Sequence, residues 1–487
     1  PISWQLRYIR SGLADLIVVD EQCIRADALE EAQKVKAPVI ASSSKNCLGL
    51  QNRTESPDEE IIKDLVDGNV PGVLILDPEK VGKVAVEVAK AVAPKRKKMK
   101  IIPEVEEIIE AAKKCRQCDD CMRACPNNQP IPMAMKAAAK GDLSLLADIL
   151  EKCVGCARCD SACPNNYPLH SFMVKAGEKS LVEEKYKIRV GRGAIQDIEI
   201  REVGGPIVLG EIPGVVALVG CANYPNGGKE VAEIAEEFAK RRFIVVATGC
   251  AAMSIAMEKD EDGKTLYEKY PGSFEAGGII NVGSCVSNPH IAGAVIKIAS
   301  IFAKRNLHSN YEEIADYSLN RVGAVGVAWG AMSQKAASIA SGFWRLGVPV
   351  IVGPHGSKYR RMLLGRKDKP EDWNVYDAGT GKSVYVGPVP EHLFTSAETA
   401  EEAMVLMAKL CMRANDTTKG RAIKLTHYID LHKRLYGVMP DDIHLLVRRK
   451  ADIPLTMKEE ILSILEEKNW EETEIPNPTL IPRLIRK

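Results

Sequence analysis

Aromatic side chains make up only 5% of the 487 residues, with 7 phenylalanines and 5 tryptophans. That scarcity weakens any reading in which nucleic-acid bases stack along the surface. Charge of one sign is missing too: 66 lysines and arginines face 65 aspartates and glutamates, a formal net charge of +1. Neither nucleic acid nor an acidic membrane surface is implied as a general partner. No apolar run approaches the roughly 18 residues of a membrane span, and no secretory leader pattern is present. What is there, 46% apolar and 27% charged residues, is the balance of a soluble globular protein. The length suits roughly three domains with large buried cores. The first residues, PISWQLRYIRSGLADLIVVD, read as the middle of a domain pattern, so an N-terminal portion is expected to precede Pro1.

Cysteine is the residue in good supply, and its placement matters more than its number. Fourteen in a chain this long is not a disulfide-scaffold density, and their C-x-x-C clustering favours metal ligation in a reducing compartment. A cytoplasmic location is therefore expected. Residues 115–128, CRQCDDCMRACPNN, recur at 153–166 as CVGCARCDSACPNN. C-x2-C-x2-C-x3-C-P is the spacing of bacterial-type cubane iron–sulfur sites, in which the fourth cysteine of each run ligates the other cluster. On that rule one [4Fe-4S] cluster takes Cys115, Cys118, Cys121 and Cys163, and the other takes Cys153, Cys156, Cys159 and Cys125. Pro126 and Pro164 would stop each run from continuing as a helix. The bland alternative is a pair of structural zinc sites, which share the C-x2-C spacing.

Around the repeat the chain alternates short β-branched runs with helical periodicity, which predicts an α/β fold of Rossmann-like, doubly wound parallel sheets. Residues 1–100 carry the strand-like runs ADLIVVD, APVIASS and GVLILD. The basic run PKRKKMK (94–100) is expected to be a linker or helix start. Residues 101–190 form a mainly helical, ferredoxin-like insert holding the two clusters. Residues 191–388 resume the α/β pattern, and residues 389–487 are expected to be a helical C-terminal region.

Four further cysteines share one context. Cys23, Cys221, Cys250 and Cys285 each lie at or just beyond the carboxyl end of an expected parallel strand, the last three in ALVGC, VVATGC and INVGSC. In open α/β sheets that edge is where ligands bind. One such cysteine is ordinary packing; four in a repeated context point to a ligand set, and soft thiolates suit an iron–sulfur or nickel-containing site.

The stretches ADLIVVDEQC, LVGC, VVATGC, VGSCVSN and MSQKA resemble the nickel-containing carbon monoxide dehydrogenases. The two-cluster insert makes the chain similar to the archaeal branch, the alpha subunits of acetyl-CoA decarbonylase/synthase complexes. The resemblance covers residues 1 to about 365. It implies a Ni-Fe-S cluster of the C-cluster type, with Cys23, Cys221 and Cys250 on its irons and Cys285 on nickel. It also implies Lys335 beside bound CO or CO2, and Ile339, one turn later, lining an apolar gas pocket. The activity implied is CO + H2O to CO2, two protons and two electrons, with electrons leaving through the [4Fe-4S] clusters to a ferredoxin-type acceptor. Implied partners are a small second subunit and the other subunits of the complex, around a homodimeric core. The family's histidine and cysteine ligands from an earlier region, its proton-relay histidines and its further [4Fe-4S] clusters have no match here and are expected in the missing N-terminal part.

Two rivals remain open at this stage: a hybrid-cluster hydroxylamine reductase, and a non-catalytic iron–sulfur electron-transfer subunit. Cys47, Cys411, His290 and His355 lack a repeated context and are taken as structural, and His170 as a surface residue. YPNGGK and DAGTGKS lack the spacing of a phosphate loop.

Overall fold

The computed structural model describes residues 2–473 apart from 21–23, 185–192, 223–225, 304–310, 331–333, 355, 357–359, 361–362, 366–367 and 390. The chain divides into two compact units, Pro1–Lys187 and Ile188–Lys487.

The first unit carries three short parallel strands, β1 (Ile17–Val19), β2 (Val39–Ala41) and β3 (Gly72–Leu74), paired in the order β1-β2-β3. They fall within the three apolar runs expected as strands. Parallel neighbours require crossover connections, supplied here by the helices Ala28–Lys34 and Asp58–Asp67. The helix after β3, Pro78–Arg96, buries Val81, Val84, Val88 and Val92 at spacings of three and four. That apolar stripe carries the helix through Pro94 to Arg96, so the first part of the basic run is the helix's last turn rather than a linker. Buried Arg96 bonds the carbonyls of Gly12 and Val35 and pairs with Asp15. Short helices then run from Val105 to Glu184 around a core that includes Ile108, Met135, Leu146, Leu150, Phe172 and Met173.

The second unit is built on β4 (Val215–Leu218), β5 (Ile244–Thr248), β6 (Ile279–Gly283), β7 (Ala324–Trp329) and β8 (Val350–Gly353). An outlying hairpin, β9 (Asn374–Asp377) with β10 (Lys382–Tyr385), follows, and then the edge strand β11 (Phe394–Ser396). The sheet order is β11-β8-β7-β4-β5-β6 with every pairing parallel. Strands buried on both faces read as unbroken apolar runs, and β4, β5, β7 and β8 are buried throughout. Their side chains alternate between two cores. Val216, Leu218, Val245, Val327 and Ile351 face one, packed with helices such as Gly227–Lys240, Ala400–Leu410 and Thr418–Tyr436. Val215, Ala217, Ile244, Val246 and Val350 face the other, packed with Asp197–Leu209 and Asn288–Ala303.

The glycine-rich run DAGTGKS is the turn of the β9–β10 hairpin: Asp377 accepts from the amide of Gly379 and the hydroxyl of Thr380. It is turn chemistry. Strand β11 lies where only helix was expected; at three residues it is too short to show a period. Among the described residues no helix is long and apolar enough to cross a membrane.

Candidate metal centres

The two cysteine runs repeat in backbone as well as in sequence. Gln117 and Asp119 have φ of +55° and +62°; their counterparts Gly155 and Ala157 have +62° and +55°. Left-handed backbone costs a non-glycine residue free energy, so its appearance at Gln117, Asp119 and Ala157 marks an imposed curl. Such curls turn successive amides inward, the arrangement that cradles anions and iron–sulfur sites. Each curl leads into a short helix, Asp120–Ala124 or Arg158–Ala162, and these two helices pack together.

Two asparagines tie the runs crosswise. The Asn127 side chain donates to the carbonyl of Lys152, just before Cys153, at 3.0 Å, and the Asn165 side chain donates to that of Lys114, just before Cys115, at 3.1 Å. Each bond draws the end of one run to the start of the other, as the shared-ligand rule requires. Cys115, Cys118, Cys121 and Cys163 accordingly line one cavity, with Pro132, Met135 and Leu169 in its wall. Cys153 has Cys156 and Cys125 as electrostatic neighbours, and Cys159 has Cys153 and Cys156.

Burial pushes the Cys121 and Cys153 thiols up to about 11 and Cys159 further still. Buried thiols of this kind ionise when a metal cation replaces the proton. Four cysteines around one cavity, spaced C-x2-C-x2-C-x3-C-P, are the donor set of a cubane iron–sulfur site. The residues fit the two cubanes expected from the spacing.

The second group of thiols is assembled by topology. The chain runs from β4 outward through β5 to β6, then returns to place β7 on the other side of β4. The switch point therefore lies between β4 and β7, where an open α/β sheet binds ligands at its carboxyl edge. Cys221 follows β4, Cys250 follows β5, Cys285 follows β6, and the helix Gln334–Trp344 with Lys335 and Ile339 follows β7.

The sulfur of Cys250 has the thiol of Cys221 and the backbone amide of Ala222 as hydrogen-bond neighbours. Gly249, at φ +59°, gives Cys285 room: a Cβ there would stand 2.2 Å from the Cys285 sulfur. Gly220, at φ +89°, likewise gives Ile339 room, since a Cβ would meet its Cδ1 at 2.4 Å. The amide of Ala251 bonds the carbonyl of Gly220 at 3.0 Å, and Thr248 bonds Asn288, joining the three cysteine-bearing loops. Cys221, Cys250, Cys285 and Ile339 thus meet at one edge. Three soft sulfurs beside an apolar wall suit a thiophilic metal cluster.

Cys23 lies outside the described residues, as does His355, and the side chain of Lys335 is not described. Cys411 is buried in the core against Gly214, and Cys47 packs half-buried against the first unit's core. His290 is exposed. His170 is a correction: it is fully buried rather than on the surface, because the helix Leu169–Ala176 packs against the helices Ile2–Arg10, Ser144–Glu151 and Arg158–Ala162. The asparagine pair was missed, although its signal was present as the duplicated CPNN.

The chain belongs to the Prismane/CO dehydrogenase family, whose model matches residues 2–365. Within that class, it is 58% identical over 486 residues to the acetyl-CoA decarbonylase/synthase complex subunit alpha of Methanothermobacter thermautotrophicus, covering 99% of this chain and 62% of that protein. It is 55% identical over 474 residues to the protein of the same name from Methanocaldococcus jannaschii, covering 97% of this chain and 61% of that protein. The chain thus spans about three fifths of the length of the curated relatives it matches. Among solved structures, a nickel-free carbon monoxide dehydrogenase from Thermococcus sp. AM4 matches with TM-score 0.40 and 18% identity, over 84% of this chain and 47% of that one.

Proposed function

We propose that the chain is the catalytic part of a carbon monoxide dehydrogenase subunit working within an acetyl-CoA decarbonylase/synthase complex. The observation that carries this reading is the meeting of Cys221, Cys250 and Cys285 beside Ile339 at the switch point of the sheet. These cysteines, with Cys23, would hold a Ni-Fe-S cluster of the C-cluster type. When bound, that cluster supplies the two-electron oxidation of CO with water to CO2 and two protons.

The chain's own residues set the conditions for that chemistry. The Cys221–Cys250 hydrogen bond keeps these two sulfurs side by side. Ile339 closes the edge with an apolar surface, which admits a small uncharged gas and disfavours bulk water. Lys335 stands one turn earlier on the same helix face as Ile339. Its proposed role is to hold the charge of a bound carboxylate or move a proton, since a lysine near a metal site is readily shifted in pKa.

Electrons leave one at a time through two [4Fe-4S] clusters, one on Cys115, Cys118, Cys121 and Cys163, the other on Cys153, Cys156, Cys159 and Cys125. A ferredoxin-type acceptor, a small second subunit and the complex's other subunits are the proposed partners, around a homodimeric core in the cytoplasm. The names of the relatives support this placement.

The test is CO-dependent viologen reduction by the full-length gene product, purified without oxygen and with nickel and iron counted on the same sample. Turnover with nickel present is expected. Full nickel loading without turnover would sink the proposal, and iron without nickel would favour the hydroxylamine-reductase alternative.

A further inference from the structure

The repeat offers a controlled comparison, because each residue of one half has a partner 38 positions later in the other. Cys115 matches Cys153, Asn127 matches Asn165, and Pro132 matches His170. Pro132 stands in the wall of the cavity ringed by Cys115, Cys118, Cys121 and Cys163. The pseudo-symmetry therefore sets His170 at the wall of the second thiol set.

Local bonds agree. The backbone amide of His170 donates to Oδ1 of Asp160 at 2.8 Å, and that same oxygen lies 3.5 Å from the Cys159 sulfur. Asp160 is itself fixed by Arg10. The imidazole is fully buried, and neither ring nitrogen has a hydrogen-bond partner. Leaving a buried polar group without a partner is costly, and such exceptions call for an ion, a cofactor or another group that completes them. Burial, aided by Arg10, Arg7 and Arg25, pushes this histidine down to about 3. It is neutral, with one N–H to give.

We propose that His170 donates its ring N–H to a sulfur of the cluster on Cys153, Cys156, Cys159 and Cys125, and thereby sets the reduction potentials of the two otherwise symmetric clusters apart. The proposal rests on the reading of the repeat as two cubanes. Adding an electron makes a cluster more negative, so a hydrogen bond to its sulfur favours the reduced form and raises the potential. Pro132, with no N–H on its ring, gives the first cluster no such bond. The second cluster is thus the better electron acceptor of the pair, and the step between the halves has a direction.

The experiment uses the anaerobically metal-loaded chain with 15N-labelled histidine, and its His170→Phe and His170→Gln variants. Iron is counted, and both clusters are titrated by electron paramagnetic resonance. His170→Phe is expected to make reduction of one cluster about tenfold less favourable, about 59 mV for a one-electron couple, and to leave the other unmoved. His170→Gln, which keeps an N–H, should recover most of that loss. The reduced wild type should show a weak 15N coupling that the Phe variant lacks. Two intact clusters with unmoved potentials in His170→Phe, or a shift with no 15N coupling in the wild type, would overturn the direct bond. A wild-type chain holding fewer than two clusters would instead overturn the cubane reading beneath it.

Discussion

The two groups of thiols are built in opposite ways. In the repeat, four cysteines fall within eleven positions of each run; the curled backbone between them brings the set together, and burial pushes the Cys121, Cys153 and Cys159 thiols up. At the sheet edge, Cys221, Cys250 and Cys285 are far apart in sequence and meet only because β4, β5 and β6 are neighbours. There the loops are tied by the bond from the Ala251 amide to the Gly220 carbonyl and by the close approach of Gly249 to the Cys285 sulfur. The first site takes its shape from a local curl of the chain, whereas the second inherits its shape from the sheet.

Removing the metal should separate them most strongly. The helices Asp120–Ala124 and Arg158–Ala162 have five residues each, well below the length at which an isolated helix holds. Their left-handed leaders are unfavourable without a body to wrap. After chelation of iron, amides of residues 115–166 are expected to lose about 100-fold of their hydrogen-exchange protection, roughly 3 kcal/mol. The strands β4 to β7, buried on both faces, should keep theirs. Equal loss in both regions, read by mass-resolved exchange, would break the comparison.

A smaller effect is expected from crowding the sheet-edge site. Gly249→Ala would place a methyl 2.2 Å from the Cys285 sulfur at a backbone φ of +59°. Left-handed strain and overpacking together cost about 3 kcal/mol. Thermal unfolding should fall accordingly and nickel content with it, while the repeat's iron content stays constant. Unchanged nickel binding would show that Cys285 is not held by the β5 loop.

Much of this was legible before any coordinates. Parallel strands buried on both faces announce themselves as apolar runs, as β2 to β5, β7 and β8 do. The cysteine spacings are local and therefore readable as ligand sets. What escaped depended on contacts or on strands with no pattern to show. The β9–β10 hairpin exposes Tyr376 and Tyr385, so no apolar alternation marks it. The Thr248–Asn288 bond joins residues 40 positions apart and leaves no periodic trace. His170, beside the second cysteine run, reads as a surface residue in the sequence, and only the packing of its helix shows it buried.

The smallest effect is also the sharpest test of the repeat's internal crossing. Asn127 and Asn165 each make one bond, of 3.0 and 3.1 Å, to the backbone just before the other run. Replacing either with alanine removes a net contribution of about 0.5–1.5 kcal/mol. Because the bonds are crossed, the two losses should fall on different clusters. Asn165→Ala loosens the approach of Cys163 to Cys115 and should speed iron release from the first set. Asn127→Ala loosens Cys125 from Cys153 and should speed release from the second. Chelator-driven release, with the two clusters told apart by their potentials, should show about three- to tenfold acceleration of one phase in each variant. If both variants accelerate the same phase, the fourth cysteines are not exchanged between the runs and each run closes on its own cluster.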